Sequence, residues 1–250
     1  GAVQRTADEL RLLNRATTRM KRRARLYSVV RAISGARGRV GAPMRGAISR
    51  LFLLAFAGAI STPLGAGEIC APKDFDGARF TVCSVSRGDG ELRLFATDGE
   101  GKPYGSFSRL VDSLGARGME LKFGMNAGMY DHAQLPVGYY VEDGRQAKKL
   151  LRNNGSGNFY LKPNGVFFIK GGKPQVMETE AFARAKIAPD YATQSGPMLV
   201  IDGRIHPKFS ENSENLKRRN GVGIFDETAV FAISEGPVSF HHLARLFRDG

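Results

Sequence analysis

Hydrophobic and polar residues alternate along several short segments between residue 70 and the end of the chain. Residues 79–85 and 92–96 follow this pattern, which predicts strands with one buried face. We predict further strands at 121–125, 159–162, 166–170, 175–178, 198–201, 204–205, 222–225 and 229–234. Turn residues such as Asp202-Gly203 and Gly171-Gly172 separate several of these segments and favour hairpins. The pattern therefore predicts a mostly antiparallel arrangement.

Two segments have helical periodicity instead. Residues 107–118 place Leu110, Val111 and Leu114 on one face, and a glycine ends the pattern. A final helix is predicted over residues 240–247, with Ser239 as its N-cap. The 31 glycines amount to about 12% of the chain, against a usual share of ~7%. Together these features predict an α+β fold, mainly antiparallel or mixed β-sheet with a few helices.

The positive charge is concentrated at the N-terminal end. The chain has a formal net charge of +13, and residues 1–50 hold 13 Lys/Arg against 2 Asp/Glu, or +11. The remaining 200 residues carry 24 Lys/Arg and 22 Asp/Glu, or +2. A nucleic-acid-binding core should carry its basic residues on the folded body, so this class is nearly excluded. We expect no nucleic-acid partner.

Residues 44–67 have the order of a secretory signal peptide. Met44 is followed by two arginines, then by an apolar run over 51–60 and by small residues near Ala66. The alternative is a buried strand or core helix. We expect residues 1–43 to be a basic upstream segment outside the mature protein, and the mature domain to occupy residues 68–250. These expectations place the protein in the periplasm or outside the cell, with membrane contact only during export.

The chain has two cysteines, Cys70 and Cys83. In an oxidising compartment they are candidates for a disulfide that closes a short loop, and two buried thiols are the alternative. Neither these cysteines nor the four histidines show the spacing of metal ligands, so we expect no metal site.

Polar and glycine-rich segments at strand ends carry the candidate chemistry. They are Asn-Ala-Gly-Met-Tyr at 126–130, Lys-Pro-Asn-Gly at 162–165, Thr-Gln-Ser-Gly-Pro at 193–197, Arg-Arg-Asn-Gly-Val-Gly at 218–223 and Ser-Glu-Gly-Pro at 234–237. Each segment alone is typical of a turn. In this order they resemble the phosphodiester glycosidase family, in its bacterial branch. The family pattern runs Asn-Gly/Ala-Gly-x-Tyr/Phe, Ser-Gly-Pro-x-Leu-Val with Asp-Gly, then Arg-x-x-x-Gly, and the resemblance covers residues 70–250.

The resemblance implies a hydrolase that cuts the sugar C1–O–P linkage of a glycosyl phosphodiester. The leaving group is a phosphate monoester with a second pKa near 6, so it needs charge neutralisation more than protonation. A planar arginine suits a phosphate, and Arg219 is the candidate, although a solvated Lys-Arg-Arg loop is the alternative. Ordinary glycosidases use two carboxylates, for which Glu235 and Asp202 are candidates. Asp202 is also typical of a turn.

The resemblance also implies a set of substrate-binding residues. They are Asn126, Tyr130, Asn164, Gln194, Ser195, Gly196 and Arg219. Asn164 lies in an Asn-Gly pair, so a turn is its alternative role. The expected partner is a small molecule or glycan that carries a sugar phosphodiester, and we expect no cofactor.

Family members continue past the last helix into a strand ending in Leu-Asp-Gly, whereas this sequence ends at Gly250. We therefore expect a C-terminally incomplete domain, with an incomplete site that could leave it inactive. The main alternative function is a non-catalytic carbohydrate- or envelope-binding module with the same fold. A third class is a membrane- or nucleic-acid-associated protein tethered by the basic N-terminal segment.

Overall fold

The computed structural model describes residues 29–31 and 69–250 of the chain. The expected signal peptide at 44–67 and nearly all of the basic segment 1–43 lie outside the described residues. Within the described part, no helix is long and apolar enough to cross a membrane.

Short strands dominate the described chain. The strands are β1 (Val29–Arg31), β2 (Cys70–Phe75), β3 (Ala78–Val85), β4 (Arg93–Phe95), β5 (Tyr140–Glu142), β6 (Arg145–Lys148), β7 (Gly165–Lys170), β8 (Lys173–Glu178), β9 (Tyr191–Ser195), β10 (Val200–Ile201), β11 (Arg204–Ile205), β12 (Asn220–Phe225) and β13 (Thr228–Ser234). The helices are α1 (Phe107–Gly115), α2 (Thr179–Ala185) and α3 (Phe240–Asp249), with a 3-10 turn at Asn158–Tyr160. The α+β prediction is confirmed.

Two antiparallel sheets form the body of the described part. One has four strands in the order β12-β13-β3-β2, and the other has five in the order β6-β5-β9-β7-β8. Small pairs, β1 with β4 and β10 with β11, accompany them. The disulfide Cys70–Cys83 joins directly opposed residues of β2 and β3, with a sequence separation of 13.

The sheets pack face to face around a shared core. Phe231 of β13 contacts Phe167 of β7 and Phe123, with ring centroids 6.0 Å and 5.1 Å away. The outer face of the four-stranded sheet packs on α3 through Phe80, Ala232 and other apolar residues. The outer face of the five-stranded sheet packs on Phe182 of α2. The layers are therefore helix, sheet, sheet and helix.

Most predicted elements are present, and two predicted strands are wrong. The 107–118 helix is α1, and Ser239 caps α3 by accepting a hydrogen bond from the His242 N–H. Residues 121–125 form no strand, because this segment is a connection that buries Phe123 between the sheets. Residues 159–162 form the 3-10 turn and the approach to a cis Lys162–Pro163 bond.

Candidate functional site

Strand alternation brings the family-like segments to one end of the sandwich. In β9, Thr193 lies opposite Phe167 of the core, so Ser195, two residues on, belongs to the same inward face. In β12, Val222 packs on the shared core, so Asn220 belongs to that face too. Ser195 is the last residue of β9 and Asn220 the first of β12. Both polar side chains therefore sit where the apolar core ends.

The 126–130 segment contacts both of these strands. The Asn220 side-chain amide donates to the Asn126 carbonyl oxygen at 3.0 Å, across 94 residues of sequence. Gly128 lies flat on β9, where a Cβ atom would come within 2.4 Å of the Thr193 hydroxyl. The Asn126 Oδ1 atom is buried, and no group in the described residues donates a hydrogen bond to it. A ligand donor is the kind of group that could satisfy this acceptor.

The Ser-Gly-Pro segment forms the opposite wall of the site. Ser195 is half-buried and pairs in register with Gly165 of β7. A Cβ atom on Gly196 would lie 2.5 Å from the Phe159 carbonyl oxygen and 2.8 Å from Asn164 Cβ, so glycine is required. Gly196 thus shapes the wall by its absence of a side chain.

Two residues predicted to bind substrate have structural roles instead. Gln194 is 1% exposed, and its amide makes four hydrogen bonds within the protein. Its Oε1 accepts from the Tyr139 and Leu151 N–H groups, while its Nε2 donates to the Leu151 carbonyl and the Thr179 hydroxyl. An amide can make four such bonds, so none remains for a substrate.

Asn164 is also buried, at 3% exposure. Its side-chain amide donates to the Phe159 carbonyl at 2.9 Å, and its own carbonyl accepts from the Thr179 N–H. These bonds hold the 3-10 turn against the start of β7. Asn164 therefore supports the wall that Gly196 forms and does not face a ligand.

Tyr130 and Asp202 lie outside β9 and β12, the strands that carry Ser195 and Asn220. Tyr130 is half-buried and forms an isolated bridge with Pro136 at the base of a short loop. Asp202 is exposed in the β10–β11 turn with φ of +48°, followed by Gly203 at +74°. The turn interpretation of Asp202 fits this geometry, and its predicted catalytic role does not.

Arg219 is neither on a solvated loop nor directed at the site. It is 8% exposed, and its guanidinium donates to the Val238 carbonyl at 2.9 Å and the Asn215 carbonyl at 2.8 Å. The guanidinium carbon also lies 3.6 Å from the Phe240 ring centroid. Burial lowers the pKa of Arg219 from its ordinary value. Arg219 directly precedes Asn220, the first residue of β12, and its contacts with Phe240 and Val238 show that its side chain faces α3 and not the inner face.

Glu235 lies at the same end of the four-stranded sheet as Asn220, next to two arginines. Its carboxylate is 3.7 Å from Arg79 Nε, and both side chains are about half exposed. Its main-chain carbonyl accepts from Arg218 Nε at 2.7 Å. Arg79 and Arg218 are exposed, so they could bind an anion beside Glu235.

Sequence reasoning identified the 218–223 segment without assigning a role to its Asn220 or Arg218, and it missed Arg79. The signal for Asn220 was its two-residue spacing from Val222 and Ile224, the apolar positions of β12, which puts all three side chains on the same face. Arg79 and Arg218 have no comparable local signal, because their proximity depends on the pairing of β3, β12 and β13 around Glu235.

The described residues also contain cavities away from this end. One, of about 340 Å³, lies between the sheets at the opposite end and is lined by Leu92, Ile169, Tyr191 and the Gly171-Gly172 turn. Another, of about 470 Å³, lies beside β2. None of the predicted site residues lines either cavity.

A half-buried carboxylate ties the residue after β4 to β5 outside the site. Glu142 accepts hydrogen bonds from the Tyr140 hydroxyl at 2.8 Å and the Ala96 N–H at 3.1 Å. Burial raises the pKa of Glu142, and the two donors offset part of this rise.

Comparison with known proteins finds a family match whose range contains all of these segments. The family described as phosphodiester glycosidase matches residues 119–250, just over half of the chain. The protein called "Uncharacterized protein YigE" of Escherichia coli (strain K12) is 34% identical over 154 residues. That alignment spans 61% of this chain and 60% of the relative.

Proposed function

Since the chain belongs to the phosphodiester glycosidase family, we propose that it is an exported hydrolase that cleaves the sugar C1–O–P linkage of a glycosyl phosphodiester, or a related sugar linkage, in the cell envelope. The substrate would bind at the sandwich end defined by Asn126, Ser195 and Asn220. We name this the amide end.

One observation carries the proposal. The Asn126–Asn220 hydrogen bond joins two family-like segments that are 94 residues apart in sequence. Gly128, in the first of these segments, also packs against Thr193 of β9, which belongs to a third. If these segments were only local turns, nothing would require them to contact one another in the folded protein. A shared ligand is the simplest reason for polar segments to converge at one end of an apolar core.

The charges support a division of roles within this end. The amide and hydroxyl groups of Asn126, Asn220 and Ser195 suit sugar hydroxyls, which both donate and accept hydrogen bonds. The exposed guanidinium groups of Arg79 and Arg218 suit the phosphate. Glu235 is the carboxylate beside them and would act on water or on C1 as base or nucleophile.

The test is hydrolysis of a panel of sugar-1-phosphodiesters in water enriched in ¹⁸O. Cleavage at C1–O places ¹⁸O in the released sugar, whereas cleavage at P–O places it in the phosphate, and mass spectrometry of both products distinguishes them. We expect ¹⁸O in the sugar. Label found in the phosphate would replace the glycosidase by a phosphodiesterase.

Two pairs of variants assign the roles. Glu235→Gln should lower turnover by about 10²–10⁴-fold, the usual contribution of a general acid or base. Glu227→Gln is its matched control, because Glu227 is also an exposed glutamate paired with one cation, Lys173 at 2.9 Å. Asn220→Ala should lower kcat/KM, while Asn212→Ala, an exposed asparagine elsewhere, should not. Equal effects within either pair would contradict the assignment.

The second candidate is a carbohydrate- or envelope-binding module without turnover. The pairing of Glu235 with Arg79, together with the exposed position of Asp202 in the β10–β11 turn, favours it over a two-carboxylate hydrolase. Calorimetry with the same panel separates the candidates. Binding that depends on Asn220, with neither free sugar nor free phosphate released, would identify a binding module.

A further inference from the structure

Four side chains form a continuous column beside the amide end. The Arg219 guanidinium covers the Phe240 ring at 3.6 Å, and Phe240 stacks on Phe209 at 5.1 Å with an interplanar angle of 9°. Phe209 stacks in turn on His206 at 4.8 Å and 25°. We name these four residues the stacked column. Planar groups in contact over such a length leave few alternative rotamers for any member.

The His206 end of the column is fixed to the wall that carries Ser195. His206 is 1% exposed; its Nδ1 accepts from the Lys208 N–H and its Nε2 contacts the Lys162 carbonyl at 3.2 Å. With Nδ1 as acceptor, Nε2 carries the proton and donates to Lys162. Burial lowers the pKa of His206, in keeping with a neutral ring. Lys162 leads through Pro163 to Asn164 and to Gly165, the register partner of Ser195.

The Arg219 end of the column is fixed to the start of the strand that carries Asn220. The Arg219 N–H donates to the Ser234 hydroxyl at 3.0 Å, and the Arg219 carbonyl accepts from the Ser234 N–H at 2.9 Å. With the guanidinium bound to the Val238 and Asn215 carbonyls, both the main chain and the side chain of Arg219 are held. The direction of the next side chain, Asn220, follows from this because alternation sends it to the inner face.

We propose that Arg219 is a positioning residue: the stacked column fixes the spacing between the two walls of the amide end, and Arg219 aims Asn220 at Asn126. This inference rests on the proposed function for its effect on turnover. The column itself presents no group to the substrate, because the guanidinium is buried against Phe240 and bound to main-chain carbonyls.

Lysine cannot replace arginine in this role. It keeps the charge, but it lacks the plane that stacks on Phe240 and the fork that reaches two carbonyls at once. Arg219→Lys should therefore loosen the Asn220–Asn126 contact. Small displacements of binding groups have large kinetic effects, so we expect kcat to fall by roughly 10-fold or more with KM nearly unchanged.

The first measurement needs no turnover. The side-chain amide of Asn220 in a ¹⁵N-labelled protein, assigned by its loss in Asn220→Ala, reports directly on the bond to the Asn126 carbonyl. We expect faster amide hydrogen exchange for this group in Arg219→Lys and also in Phe209→Leu, which removes one ring of the column without changing any charge. Arg117→Lys is the control, since Arg117 lies over Phe95 at 5.9 Å on another element.

The second measurement is a double-variant cycle on kcat. If the column acts as one unit, Phe209→Leu alone should reproduce the effect of Arg219→Lys, and the double variant should be little worse than either. A raised KM in Arg219→Lys with wild-type behaviour in Phe209→Leu would overturn the inference and make Arg219 a phosphate ligand. Unchanged Asn220 exchange in both variants would also overturn it. If the wild-type protein hydrolyses nothing, the exchange result still decides the inference while the proposed hydrolysis fails.

Discussion

Replacing Gln194 with leucine should destabilise the whole domain, because the side chain is a hydrogen-bonding centre under α2. Leucine has a similar volume, so the change removes polar atoms without opening a large cavity. It leaves the buried Tyr139 N–H and the half-buried N–H and carbonyl of Leu151 without their partner. A substrate-binding role would predict the opposite pattern, with stability kept and binding lost.

The magnitude follows from these three main-chain groups. An unsatisfied buried polar group costs about 1–3 kcal/mol, and the two Leu151 groups fall near the lower end because they are half-buried. The sum is roughly 3–5 kcal/mol, a large part of the ~5–15 kcal/mol that stabilises an ordinary domain. For a domain of this size, each kcal/mol shifts Tm by about 2–4 °C.

Urea unfolding followed by circular dichroism measures the free energy of unfolding directly. Gln175→Leu is the matched control, since Gln175 is an exposed glutamine on β8 of the same sheet. We expect a change within ~0.5 kcal/mol for the control. A loss below ~1 kcal/mol in Gln194→Leu, equivalent to a single ordinary hydrogen bond, would refute the reasoning.

Two further predictions concern stability. Gly196→Ala should cost about 1–3 kcal/mol, because the added Cβ would meet the Phe159 carbonyl at 2.5 Å and main-chain atoms cannot move aside cheaply; thermal unfolding measures this loss. Glu142→Gln should remove a pH dependence. The folded protein binds the Glu142 proton more tightly than the unfolded chain, so its contribution to stability is present below about pH 4.3, the ordinary pKa, and is lost as the pH rises through the raised folded pKa. Urea unfolding from pH 4 to 8 should therefore show the free energy of unfolding of Glu142→Gln rising relative to that of the wild-type protein as the pH rises.

Each of these predictions has a control in the chain. Gly99→Ala should be nearly neutral, because no atom lies within 4 Å of its Cβ position. Glu100→Gln, an exposed glutamate, should leave the pH dependence unchanged. Equal losses at Gly196 and Gly99, or parallel pH curves for Glu142→Gln and wild type, would contradict the steric and the electrostatic arguments respectively.

Local patterns predicted most of the hairpins and two of the helices, because the signals lie within a few residues. Asp202-Gly203 and Gly171-Gly172 adopt the positive φ angles that such pairs favour. The failures at 121–125 and 159–162 have a tertiary cause. Phe123 is buried by Phe231 of a distant strand, and the apolar residues of the second segment are held in a 3-10 turn by Asn164.

The candidate site was predictable as a set of segments but not as a set of side-chain roles. Motif order identified the loops that converge. Whether Gln194 or Ser195, and Arg219 or Asn220, faces the site depends on which face of each strand is inward, and one residue of offset reverses the answer. The alternation of Val222 and Ile224 contained this information, but only the packing of the second sheet shows that their face is the inner one.

The wide sequence separation between Asn126 and Asn220 has a consequence for synthesis and folding. A chain still growing on the ribosome can form the β7–β8 hairpin early, since its strands are joined by a short turn. The amide end cannot exist until β12 has emerged and closed a 94-residue loop. Ligand binding should therefore appear only with the last stage of folding, which makes it a sensitive probe of complete assembly.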